Sequence, residues 1–252
     1  MSLGSDSRQQ IADGRRWRSR LFRCLLSAVC CLSASAAPLA IHPRPTDPDV
    51  TSGMARPHVA VASNGKTFIV TWEDRSVPGS PNSGKIYYRT FAADTGVADQ
   101  ATPLLAVSDA FAPAVVWNGA EWVIAGSQTF DAGTGIDQPT LRAARVSEHG
   151  GGVGNETVVL STQTPPSLNT GIAANGAGLL IGNGNAALTA RDLSQPHSFR
   201  FRVKPLAAAG GTFLTLDESN HVAIVTNTGI VLTDFALATG GTVAATANGS
   251  EY

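Results

Sequence analysis

The chain has 252 residues, 18 Lys+Arg against 19 Asp+Glu, and 43% apolar side chains. Residues 1–36 hold six of the basic and two of the acidic groups, so the remainder carries twelve against seventeen, a formal charge of about −5. That balance excludes a uniformly basic surface for nucleic acid. Beyond residue 36 no segment is apolar over the ~20 residues a spanning helix needs.

The first 36 residues read as an export signal. Arg15, Arg16, Arg18, Arg20 and Arg23 make a basic start, an apolar run follows from Leu25 to Leu32, and Ala34-Ser35-Ala36 is a small-x-small cleavage site. The apolar run is too short for a stable span, so the mature protein is expected to have no lasting membrane insertion. A retained signal anchor is the alternative. A lipid-modified cysteine fits poorly, because Val29 and not a small residue precedes Cys30. Arg15-Arg16 starts like a twin-arginine signal, but the residues after it do not continue the pattern. The three cysteines, Cys24, Cys30 and Cys31, all lie in this leader. The mature chain therefore has no disulfide, no thiolate metal site and no cysteine nucleophile.

Residues 37–56 read as a linker, stiffened by Pro38, Pro43, Pro45 and Pro48. Beyond Pro57 helical periodicity is nearly absent. Short β-branched and aromatic runs alternate instead with Gly, Asn, Asp and Pro clusters. His58–Ala62 alternates, Asn64-Gly65 is a hairpin signal of the type I′ kind, and Thr67–Trp72 alternates again. Lys85–Phe91 and Leu104–Val107 complete a set of four strands. The pattern returns at 112–117 with Asn118-Gly119 and 121–125. It returns again at 168–174 with Asn175-Gly176 and 178–181, then at Gly210-Gly211 with 212–216, and at 243–247 with Asn248-Gly249. The glycines at 65, 119, 176, 211 and 249 are separated by 54, 57, 35 and 38 residues. Units of this size with three or four strands are the mark of propeller blades, which stack because one blade cannot bury both its faces.

The first unit is the most regular: Pro57-His-Val-Ala-Val-Ala-Ser-Asn-Gly-Lys-Thr-Phe-Ile-Val-Thr-Trp72, then Lys85-Ile-Tyr-Tyr-Arg-Thr-Phe91, then Gly96. It resembles the repeats of bacterial secreted β-propeller-like proteins, which follow P-x-V-A-x-x-G-x-x-F-x-V-x-W and then I-x-x-R-x-F. The second unit keeps Pro113, Gly119, Trp122 and Arg145, the third keeps Gly176 and Arg191, and the fourth matches poorly. The resemblance covers residues 57–252 and implies fold and export, and little about activity. The expected fold is all-β: a propeller-like array of about four blades of antiparallel strands plus a partial fifth, with units starting near 57, 112, 166, 205 and 243. Two β-sandwich domains are the alternative. Tyr252 stands three residues past Gly249, where Phe68 stands three past Gly65, so the fifth unit breaks off as its second strand begins. Continuation of the chain beyond Tyr252 is the expectation, and a terminal strand that closes the ring is the alternative.

Several motifs have a sharp and a plain reading. Gly182-x-Gly184-x-x-Ala187 after an apolar run imitates a dinucleotide fingerprint. The acidic residue expected about 20 positions on is missing there, where Phe199-Arg200-Phe201-Arg202 stands. The plain reading is a hairpin with Gly184 at the turn and a return strand over 187–193. His149-Gly150-Gly151-Gly152 copies an esterase oxyanion string without a G-x-S-x-G partner, and reads as a flexible turn between a third and a fourth strand. Asp131 and Asp137 share a Gly-rich loop that lacks a calcium-loop spacing. Glu73-Asp74 is the pair to weigh for glycoside hydrolysis, against solvated turn acids. The box Ser-x-Asp-x-Gly-x-Thr-Trp of sialidase-like propellers is absent. His42, His58, His149, His197 and His221 show no ligand spacing. Trp72, Trp117 and Trp122 read as blade core, and Arg200 with Arg202 as a solvated stripe along one strand face. Asn155-Glu-Thr157 and Asn248-Gly-Ser250 are glycosylation sequons.

No catalytic constellation, metal set or cofactor motif is complete. The expectation is a secreted, periplasmic or surface module that binds protein or glycan through blade-edge loops, above all 76–84 and 130–139. An extracellular propeller glycoside hydrolase and a structural repeat segment of a larger surface protein are the alternatives.

Overall fold

The computed structural model describes residues 58–74, 84–128, 138–164, 166, 168–199, 201–237 and 245. The leader, the linker, both long loops apart from Gly84, Gln138 and Pro139, and the fifth unit apart from Ala245 lie outside the described residues. The described chain forms sixteen strands, and none of its helices is long and apolar enough to cross a membrane.

The strands form four antiparallel four-stranded sheets, each a simple meander. The first holds β1 (Val59–Ser63), β2 (Thr67–Asp74), β3 (Lys85–Ala92) and β4 (Leu104–Val107). The second holds β5 (Phe111–Trp117), β6 (Trp122–Gln128), β7 (Thr140–Val146) and β8 (Gly152–Ser161). In the third are β9 (Gly171–Ala174), β10 (Leu179–Gly182), β11 (Ala186–Thr189) and β12 (His197–Ser198). The fourth comprises β13 (Val203–Ala209), β14 (Thr212–Asp217), β15 (His221–Thr226) and β16 (Val231–Ala236). The first strands β1, β5, β9 and β13 pack on one another in succession, so they line a common axis and the fourth strands lie outermost. This is a propeller-like array of four blades, not two sandwiches.

Each first strand pairs on one side only, which is why Pro113 in β5 and Pro205 in β13 are tolerated: their missing N–H groups fall on edge strands. Alternation then decides the faces. On β2, Ile69 is fully buried against the second sheet, where Ile86, Tyr88 and Val107 meet Trp122, Ile124 and Val146. The other side of the second sheet, Val123, Ala125 and Leu141, packs on Leu179, Ile181 and Ala187 of the third. Leu180, Leu188 and Phe199 of the third pack on Val203, Phe213 and Val225 of the fourth. Trp122 and Trp117 meet edge to face at 4.9 Å inside the first of these layers. The third and fourth sheets come closest at the axis. A Cβ on Gly171 would overlap the Pro205 carbonyl oxygen, and one on Gly182 the Val203 carbonyl oxygen.

The hairpin turns differ from the expected type I′ form. Gly65, Gly119 and Gly176 have φ of 87°, 99° and 82°, but the asparagines before them do not have positive φ. Each asparagine caps its own turn instead. Asn118 Oδ1 accepts from the amides of Ala120 and Glu121 at 2.9 and 2.8 Å, and Asn64 and Asn175 do the same two and three residues on. The amide nitrogen of each side chain then crosses to the next sheet. Asn64 Nδ2 donates to Glu148 Oε1 at 2.8 Å, Asn118 Nδ2 to the Arg191 carbonyl at 2.9 Å, and Asn175 Nδ2 to Asn227 Oδ1. One residue type thus closes a turn and clasps the following blade, three times over.

Candidate functional site

The opposite ends of the sheets carry the second-to-third-strand turns and the connections between blades. Glu73, read from sequence as a solvated turn acid or half of a catalytic pair, is not solvated. It is the penultimate residue of β2 and only 4% exposed. Its Oε2 accepts the Ala112 amide at 2.8 Å and faces His58 Nδ1 at 3.3 Å. A carboxylate is needed because Ala112 turns through φ 50° at the start of the second sheet and points its N–H back at the first. The matching place between the second and third sheets is held by Ser127, Thr170 and Asn183. Ser127 Oγ lies 2.7 Å from Thr170 Oγ1 and accepts from Asn183 Nδ2 at 2.8 Å, all three buried. Farther out, Glu156 joins Arg142 at 2.5 Å to the amide and hydroxyl of Ser108 at 3.0 and 2.9 Å.

Between the third and fourth sheets the pattern changes. β12 has only two residues, so the outer half of the fourth sheet is left uncovered, and a groove of about 370 Å³ opens there. Its floor is Val203, Ala223, Val225 and Val231 with Phe201, whose ring meets Phe199 edge to face at 5.7 Å. Its rim is ionic. Arg202 Nη2 lies 2.7 Å from Glu218 Oε1, and His221 Nδ1 lies 3.8 Å from Asp234 Oδ2. Asp217 Oδ1 accepts the amides of Ser219 and His221, both at 2.8 Å, which shapes the turn that carries Glu218. Three carboxylates thus face one guanidinium and one imidazole over an apolar floor. The rim pairs are solvent-exposed, so each is weak and open to exchange with a ligand. Beside the groove Lys204 is half-buried on β13, and desolvation lowers its pKa from the ordinary value.

The sequence read Arg202 as part of a solvated stripe on a strand. It precedes β13 and is held by Glu218, while Arg200 lies outside the described residues. The groove acids Asp217, Glu218 and Asp234 drew no attention in sequence, and His221 was read only as a histidine without ligand spacing. The only signal for Asp217, Glu218 and His221 was the polar run 217–221 between two apolar strands, and Asp234 had none. The Gly182/Gly184/Ala187 motif is a hairpin, with Gly184 at φ 103° and a return strand that ends at Thr189. The His149–Gly152 turn joins β7 to β8 but is not free. Tyr88 Oη donates to the Gly150 carbonyl at 2.8 Å and Gln100 Nε2 to the His149 carbonyl at 2.6 Å. Burial raises the Tyr88 pKa from its ordinary 10.0. Trp122 is core at 0% exposure, while Trp72 lies half-buried on the outer face of the first sheet. Asn155 is exposed on β8. Asp131, Asp137 and the Asn248 sequon lie outside the described residues. Among the described residues no group of three His, Cys, Asp or Glu could hold a metal ion.

The sequence matches no family model and no curated protein. Partial likeness to solved structures is found. The periplasmic gluconolactonase of Pseudomonas aeruginosa is 14% identical over 74% of this chain and 59% of that one, at a TM-score of 0.46. An exo-β-1,3-galactanase from Phanerochaete chrysosporium is 12% identical over 75% and 51%, at 0.39. The GH43 endo-arabinanase of Bacillus licheniformis is 10% identical over 76% and 83%, at 0.37. The chain thus spans between half and three fifths of the first two structures, and at these levels none assigns it an activity.

Proposed function

We propose that the protein is a secreted, periplasmic or cell-surface binding module that takes a protein or glycan ligand in the groove between the third and fourth sheets. The observation that carries this reading is the groove itself: an apolar floor with exposed, exchangeable charges around it. Such a mix suits recognition, because the floor supplies burial and the rim supplies orientation. The hydrolase alternative would need carboxylates gathered at the mouth of the axis. Among the described residues Glu73 accepts the Ala112 amide, and the groove acids stand on β14, on β16 and in the turn that follows β14. The basic, apolar and small-residue pattern of residues 1–36 supports export, and the first unit supports a likeness to bacterial secreted propeller-like repeats.

The test is a panel of defined oligosaccharides and peptides, scored in parallel for binding and for glycoside cleavage, with wild type, Arg202→Ala and Asp234→Ala. The expected result is binding without turnover, weakened about tenfold or more in both variants. Turnover of a glycoside, or binding indifferent to both substitutions, would overturn the reading.

A further inference from the structure

We propose that the groove between the third and fourth sheets takes an extended peptide segment that carries a Lys or Arg and, two residues along, an aliphatic side chain. This inference rests on the reading of the groove as a binding site, and it names the class of ligand. Three acids line the groove, Asp217, Glu218 and Asp234, against one guanidinium, that of Arg202, so with His221 neutral the rim has a net of two negative charges. The acids are not equally engaged. Asp217 is held by the amides of Ser219 and His221, and Glu218 by Arg202. Asp234, with its side chain 61% exposed, has His221 at 3.8 Å, beyond hydrogen-bond reach. An anionic group is repelled from this rim and a cationic one is drawn to it. The charge of about −5 beyond residue 36 attracts the same partner over longer range.

The strand register orders the groove from polar to apolar. Along β15 the residues on the groove face are His221, Ala223 and Val225. Ala223 lies in one cross-strand row with Thr215 and Asp234, and Val225 in the next with Phe213 and Val231. Thr215 spends its hydroxyl on the Ala223 carbonyl, so the small side chain of Ala223 leaves space beside Asp234 for an apolar stem with a charged end. The row of Val225 and Val231 offers only aliphatic surface. Two residues of strand separate the rows, about 6.6 Å. An extended peptide has the same period, so side chains two positions apart fall on one row each.

The lining favours a peptide over a sugar. A neutral sugar ring needs hydrogen-bond partners around it, and Val203, Val225 and Val231 supply none from their side chains. A carboxylated sugar meets the negative rim. Arg202 has one nitrogen on Glu218, and a guanidinium carries five N–H donors, so the others suit the main-chain carbonyls of an extended segment. The space fits such a segment as well. The outer strands β4, β8 and β16 have 4, 10 and 6 residues, whereas β12 has 2. The peptide occupies the room that the short β12 leaves over the fourth sheet.

The test is fluorescence anisotropy of the full chain with the labelled peptide acetyl-Thr-Lys-Thr-Val-Thr-amide. Two changed peptides accompany it, one with Glu in place of Lys and one with Lys and Val adjacent, which sends them to opposite faces of the strand. Each change should weaken binding about tenfold or more, and raising salt from about 0.02 to 0.5 M should weaken the parent peptide several-fold. Asp234→Lys should reverse the preference, with the Lys peptide losing about tenfold and the Glu peptide gaining by a similar factor. A gain for one peptide is an effect that a misfolded chain does not produce. Equal binding of the Lys and Glu peptides, equal binding of the two spacings, or an oligosaccharide preferred over the peptides and sensitive to Asp234→Lys would overturn this inference while leaving the groove a binding site. Binding by none of these ligands, or binding indifferent to Asp234→Lys and Arg202→Ala, would overturn the reading of the groove and this inference with it.

Discussion

Replacing Asn118 with Ala removes three hydrogen bonds at once: two that close its own turn and one that crosses from the second sheet to the Arg191 carbonyl of the third. Asn118 is 5% exposed, so water replaces its carboxamide poorly. At about 1 kcal/mol net for each bond, less where an exposed turn amide turns to solvent, the loss comes to about 2 to 3 kcal/mol. For an assembly of roughly 200 residues that lowers Tm by about 4–12 °C. The assay is urea unfolding followed by tryptophan fluorescence, because Trp117 and Trp122 flank the turn and meet each other at 4.9 Å. Asn64→Ala is the internal comparison. Its clasp ends on the Glu148 side chain instead of a backbone carbonyl, and its site is only half-buried. Its cost should be smaller, about 1 kcal/mol. An Asn118→Ala cost under about 0.5 kcal/mol, or an Asn64→Ala cost larger than that of Asn118→Ala, would refute the claim that this side chain couples neighbouring blades.

Two further outcomes follow from the same interfaces. Glu73→Ala strips the acceptor from the Ala112 amide and leaves a buried N–H unpaired. Unfolding should be easier by about 2 to 3 kcal/mol, while Glu73→Gln, which keeps an oxygen there, should lose about half as much; equal stability of all three forms in urea would sink the clasp. Tyr88 has a folded pKa raised above its ordinary 10.0, so the native state holds its proton longer than the unfolded chain does. Its contribution is complete below pH 10 and is lost as pH rises through the folded value. Tyr88→Phe should therefore flatten the fall in stability above pH 10, read by denaturation at pH 9 to 11. An unchanged slope would show that another group governs that limb.

Much of the fold could be read locally. The alternation in Thr67–Trp72 and the Asn-Gly steps at 64, 118 and 175 mark strands and turns, because pleat period and turn chemistry depend on a few adjacent residues. Those steps do not reveal where the asparagine nitrogens go, because their acceptors lie 84, 73 and 52 residues away. Glu73 shows the same limit. Beside Asp74 it reads as a solvated pair, and only the packing of the second sheet against the first buries it over the Ala112 amide. The groove was the least legible feature. Arg202, Glu218, His221 and Asp234 come from three separate stretches of chain, and the space between them exists because β12 is short.

Sequence by itself determined the class of the protein: all-β, built of repeated four-stranded units with their apolar faces set by alternation. Those properties follow from short-range rules of backbone and side-chain periodicity. Tertiary structure decided which faces meet, which carboxylates are buried as clasps and which stay exposed at the groove rim. Those choices depend on how one sheet lies on the next, and burial is a property of that contact and not of either sequence segment alone.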